Sequence, residues 1–250
     1  MSINNFLINV ANDIKYNNKI YKKDDFYYIL KYLNINKDIS LVSDIEKFYQ
    51  DFLVSLNNSL IHYETRSLKN GENATHYIAF NTNSKANYKE AIKVYFPVKY
   101  KYMISALKTV FSYIIKNNIK ATIKFHVKAT NENIVIRFYD RNDLIPFINY
   151  CNNNFKLDEL LEPLNPFITN KYGIGFVTDD NSISTYLDTL SLLLEEYFIV
   201  LRETDNYDNV SDVGFAEYLN KRLTIEENEE MKYNIESLLR CLNLLIKNKR

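Results

Sequence analysis

Lys124, His126 and Lys128 recur at every second position of the stretch ATIKFHVKAT. Two lysines and an imidazole at that spacing have an obvious use, the holding of an anion. Arginine grips a phosphate with two parallel bonds, lysine supplies mobile charge, and tyrosine adds a neutral donor. Residues of these types stand in two other short stretches. Lys93 and Tyr95 alternate with Ile92, Val94 and Phe96, and Arg137 and Tyr139 alternate with Ile134, Ile136 and Phe138; Arg141 follows two residues on.

Alternation at period two is the mark of a strand with one buried face, so three strands must position this set. Ile119, Ala121, Ile123, Phe125 and Val127 form the apolar side of the first stretch, with Lys120, Thr122, Lys124, His126 and Lys128 on the other. If the three strands are neighbours with their apolar faces on one core, they share one further face. It would carry Lys93, Tyr95, Lys124, His126, Lys128, Arg137 and Tyr139, a coherent set for a phosphate ester. Lys124 and His126 would lie about 7 Å apart on it. The same pattern fits the wet side of an ordinary sheet, where lysines guard against edge pairing. Both readings stand on the pattern alone.

Around these strands the spacing is helical. NNFLINVANDI, KDDFYYILKYLNI and SDIEKFYQDFLVSLNNSLIHYE place apolar residues three and four apart, with Ser43 and Asp44 as a cap for the third. TRSLKNGENATH reads as an exposed loop, and HYIAF as a short strand. YKYMISALKTVFSYIIKNN is helical, as is DLIPFINYCNNNF, whose Pro146 fits a first turn. LNPFITNKYGIGFVTDD reads as an ordered loop and a short strand. Three helical segments close the chain, the last opening with Thr224 and Glu227 in capping-box spacing. The expected fold is α+β: a central, mainly antiparallel sheet with N-terminal and C-terminal helical segments. Residues 1–70 would form a helical subdomain, and residues 71–250 a core with its C-terminal helices.

Composition narrows the function classes. Lys and Arg number 31 and Asp and Glu 31, so no global charge draws the chain to nucleic acid or a membrane surface. Lysines interleaved with tyrosines could serve as a stacking platform for single-stranded nucleic acid, but the neutral balance argues against it. No window approaches the ~20 apolar residues of a membrane span, and the N-terminus lacks the apolar run of a signal peptide. A cytoplasmic protein is expected. Two cysteines and three scattered histidines make no zinc set, and the nucleotide-loop, Walker, HExxH and kinase motifs do not occur. Neither a metal nor a cofactor is expected.

The run from KVYFPVKYKYM through IKFHVKA and IVIRFYDRNDLIPFI to LNPFITNKYGIGFVTDDNSISTYLDTLSLLL resembles the Hop type III effector family. Its relatives include the lyase components of class V lanthipeptide synthetases. The likeness lies in the order of features over roughly residues 90 to 200: a Lys-Val-Tyr strand, a helix, a lysine-bearing strand, Arg-x-Asp, Pro-x-x-Thr, Gly-x-Gly and a Ser-x-Ser helix start. KFHVKA is also similar to the Lys-x-His strand of phosphothreonine lyases and of the lyase domains in class III lanthipeptide synthetases. That resemblance implies removal of phosphate from phosphoserine or phosphothreonine by β-elimination, without a cofactor. Lys124 would be the base at Cα and His126 the acid toward the leaving phosphate. Lys93, Lys128, Arg137 and Arg141 would bind phosphate, with Tyr95 and Tyr139 in support. The implied partner is a phosphorylated precursor peptide, with a separate kinase and cyclase. The other use of the same face is a module that binds a phosphopeptide or a protein without reaction.

Overall fold

The computed structural model describes residues 1–32, 61–66, 75–80, 92–99, 102–126, 134–156, 165–178 and 186–247. The fold is α+β, as expected. The chain divides into two compact units, one of residues 34–163 with 170–176, the other of residues 1–33, 164–169 and 177–250.

The first unit is built on a sheet. Its strands are β1 (Ile61–Arg66), β2 (Thr75–Phe80), β3 (Ile92–Phe96), β4 (Ala121–His126) and β5 (Ile134–Phe138). The spatial order is β1-β2-β4-β5-β3, continued by β7 (Ile174–Thr178) and β6 (Thr169–Lys171). The pairs β1/β2, β2/β4, β4/β5 and β5/β3 are all antiparallel. Tyr172 and Gly173, both at positive φ, make the tight turn between β6 and β7; this is the twist that a two-residue hairpin needs, and glycine adopts it without cost.

Ile123 pairs with Ile136, and Ile136 with Val94, so the alternating apolar residues stack in register on one face. That face is covered by α3 (Met103–Lys116) and α4 (Leu144–Asn154). Helix α3 buries Met103, Ala106, Leu107, Val110, Phe111 and Ile114, the three-and-four spacing of one stripe. Asn118, in the left-handed conformation, stops it and lets the Ile119 N–H return to the Ile114 carbonyl at 3.0 Å. This turn delivers the chain into β4. Pro146 sits in the first turn of α4, and Phe147 packs against Phe138 with ring centres 5.0 Å apart. Each such buried side chain contributes about 1.5–3 kcal/mol. Cys151 is part of this core, and burial pushes its thiol far above the usual range; Cys241 in the other unit is also free and buried.

The second unit is helical: α1 (Ile3–Asn17), α2 (Lys23–Tyr32), α5 (Tyr186–Glu203), α6 (Asp212–Ile225) and α7 (Glu229–Lys247). Ser2 caps α1 and Ser211 caps α6 through their hydroxyls. Phe26 of α2 stacks on Phe198 of α5, and Phe167 meets Phe6 and Phe215 edge-on. The first two helices of the chain therefore share a core with the last three. None of the described helices is long and apolar enough to cross a membrane.

Two local expectations differ from the structure. The segment read as a third N-terminal helix has its end, Ile61–Glu64, in β1, because the six residues Ile61–Arg66 find antiparallel partners in β2; pairing outweighs local periodicity. The rest of that segment, with Ser43 and Asp44, lies outside the described residues, as do residues 67–74 of the expected loop. Thr224 and Glu227 do not cap α7. Helix α6 runs on through Ile225, and Asn228 is the cap, its side chain accepting from the Met231 N–H at 3.0 Å.

Candidate functional site

The register of β1, β2, β4, β5 and β3 arranges the second face of the sheet in rows. Residues paired across antiparallel strands lie on the same face, about 4.8 Å from strand to strand, with rows about 7 Å apart. One row runs His62, Ala79, Thr122, Arg137, Lys93. The next runs Glu64, Tyr77, Lys124, Val135, Tyr95. A third begins Arg66, Thr75, His126. Lys93 and Arg137 are thus directly opposite each other, and Lys124 is diagonal to Arg137 at about 7–8 Å. His126 closes β4 one row beyond Lys124. Tyr139 joins the first row through a hydrogen bond between its hydroxyl and that of Thr122.

This face is not an evenly wetted surface. At the β3 end it is closed: Lys93 is 8% exposed, Tyr95 3% and Val135 5%. The Lys93 ammonium lies 5.2 Å from the centre of the Tyr95 ring, an attractive contact between a cation and the negative face of the ring. Toward β4 the face opens, and Thr122, Lys124, Arg137 and Tyr139 are half-buried. A buried ammonium opposite a guanidinium concentrates positive charge in a partly dry place, where attraction to an anion is stronger than in water. The solvated-surface reading therefore does not describe the β3 end.

Two residues of the expected set stand apart. Arg141 is exposed, at the start of a short helical turn, Arg141–Asp143, and outside the paired rows. Asp140 caps this turn, accepting from the Asn142 N–H at 2.9 Å. Burial, and then the neighbouring Asp140, hold the Asp143 carboxyl above its ordinary value. Lys128 lies outside the described residues. Thr122 and Tyr77 were not singled out by sequence, yet one is in register with Arg137 and the other with Lys124. Thr122 alternates correctly within its own strand; Tyr77 becomes a neighbour of Lys124 only through the pairing of β2 with β4. Among the described residues no three His, Cys, Asp or Glu side chains cluster so as to hold a metal.

No protein-family model matches the chain, and no curated protein matches it. Solved structures do. An effector protein from Pseudomonas syringae pv. syringae strain 61 superposes with a TM-score of 0.61 at 10% identity, over 86% of this chain and 91% of that one. An effector protein from Pseudomonas syringae pv. tomato strain DC3000 gives 0.62 at 11% identity, over 87% and 92%. At these identities the likeness is one of fold. The chain shares the fold of these two effector proteins.

Proposed function

We propose that this protein is a lyase that removes phosphate from phosphoserine or phosphothreonine in a peptide. The observation that carries the reading is the placement of Lys93 opposite Arg137, with Lys124 diagonal to them on the same face. Lys93 and Arg137 hold the phosphate, with Lys128 and Arg141 as further cations and Tyr95 and Tyr139 in support. Lys124 in its neutral form takes the Cα proton. That electron pair becomes the Cα–Cβ double bond as the Cβ–O bond breaks, and phosphate leaves with the bonding pair. His126 gives the phosphate oxygen a proton. Fixed cations stabilise the enolate-like charge and the charge on the leaving group together. A separate kinase supplies the substrate, since this reaction consumes a phosphate ester and makes none.

In a second reading the same face binds a phosphopeptide or a protein partner and does not react. Mass spectrometry of a phosphothreonine peptide after incubation separates the two. The lyase gives a product lighter than the unphosphorylated peptide by one water, and Lys124→Ala lowers its rate by about 10²–10⁴-fold while leaving the fold intact. Binding without any such product leaves the second reading in place. Full activity in Lys124→Ala overturns the assignment of the base.

A further inference from the structure

Thr122 places a hydroxyl among the cations of the second sheet face. It is in register with Arg137, with Lys93 next in the same row, and Lys124 follows it on β4. Directly opposed side chains on an antiparallel pair have Cβ atoms about 4.5–5.5 Å apart. Thr122 and Arg137 are both half-buried, in the part of the face that opens to solvent. An anion that reaches the Arg137 guanidinium from solvent therefore comes close to the Thr122 hydroxyl.

That hydroxyl is held in place. Threonine is branched at Cβ, so its χ1 has few choices in a strand. Tyr139, just past the end of β5, hydrogen-bonds to the Thr122 Oγ1 through its own hydroxyl. A phenol, with a pKa of about 10, is the better donor of the two, and an aliphatic hydroxyl is the better acceptor. Tyr139 therefore donates to Thr122, and the Thr122 proton is left for a third group. Among the described residues the Thr122 hydroxyl bonds to that of Tyr139 alone. Its partner in the row, Arg137, has a side chain of donors only, and so does the Lys93 ammonium beyond it. Neither can take the Thr122 proton. An oxyanion bound to Arg137 can.

We propose that Thr122 is a phosphate-contacting residue, donating to one oxygen of an ester that Arg137 and Lys93 hold by the others. Tyr139 acts through it as a positioning residue, turning the Thr122 proton toward that oxygen. A phosphate monoester offers three acceptor oxygens, and the three donors stand on three neighbouring strands in one row. The assignment rests on the reading of this face as a phosphate site, and holds whether or not the bound ester then reacts.

Fluorescence anisotropy with the full chain tests this, using a labelled phosphothreonine peptide and its unphosphorylated form. The parent is expected to prefer the phosphorylated peptide. Thr122→Val keeps the branched shape and removes the hydroxyl. Its affinity for the phosphopeptide should fall roughly tenfold or more, the loss of a bond to a charged acceptor. Thr122→Ser keeps the hydroxyl and should restore most of that affinity. Tyr139→Phe should weaken binding several-fold in the parent, and not at all when added to Thr122→Val. The double variant removes both members of the hydroxyl pair, so no hydroxyl is stranded and the fold is kept.

Parent affinity in Thr122→Val, or its recovery in the double variant, overturns the role of Thr122. Unchanged affinity in Tyr139→Phe, or an equal loss in both backgrounds, overturns the role of Tyr139. Equal binding of the two peptides by the parent defeats the phosphate site itself, and this assignment with it.

Discussion

Lys93 on β3 and Arg137 on β5 stand directly opposite each other across an antiparallel pair, and Lys93 is almost wholly buried. Like charges in that position oppose pairing. Lys93→Met keeps the apolar stem and removes the charge. Affinity for a phosphothreonine peptide is expected to fall roughly tenfold or more, by loss of a charge-assisted hydrogen bond. Titration of both proteins with the labelled phosphopeptide checks this. A variant that unfolds readily and binds normally would give Lys93 a structural role only.

Arg137 offers a finer test, because lysine keeps the charge and loses the planar fork. In Arg137→Lys the KM for a phosphopeptide should rise about tenfold while kcat changes much less. Steady-state rates measured by phosphate release decide it. Equal losses in kcat and in kcat/KM would instead mean that Arg137 acts on the transition state.

The apolar side of the same sheet carries the stability. Phe138 is fully buried and lies against Phe147. Phe138→Ala removes a large side chain from a packed core, and the expected loss is about 3–5 kcal/mol. Chemical denaturation measures it. A loss below roughly 1 kcal/mol would show that this core repacks around the gap.

Asp143 gives a pH dependence. Burial, then Asp140, raise its pKa, so the folded protein holds this proton more tightly than the unfolded chain. The stability it contributes is present at acid pH, below the unfolded pKa, and is lost as pH rises through the folded one. Asp143→Asn cannot titrate. Relative to this variant, the parent should therefore gain stability as pH falls from neutrality into the acid range. Parallel stability curves for the two proteins would contradict the shift.

Much of the fold was legible because its signals are local. The alternation in IKVYF, ATIKFH and IVIRF marks β3, β4 and β5, and the three-and-four spacing from Met103 to Ile114 marks α3. The same alternation placed Lys124 and His126 on one side of their strand. Reading failed where partners lie far along the chain. Ile61–Glu64 continues a helical spacing, yet it is a strand because β2 lies beside it. Thr224 has the spacing of a cap, yet α6 runs past it.

The sequence by itself determined which residues alternate, which faces are apolar, and that lysine, histidine, arginine and tyrosine fall on the opposite sides of three strands. Periodicity is a property of neighbouring residues, so it needs no partner to be read. Only the tertiary structure decided that Lys93 is in register with Arg137 and Tyr77 with Lys124, and that the β3 end of the face is buried while the β4 end is half open. Register and burial belong to pairs of segments that are distant in sequence. The hydrophobic burial and backbone pairing that select one register act only once those segments are in contact.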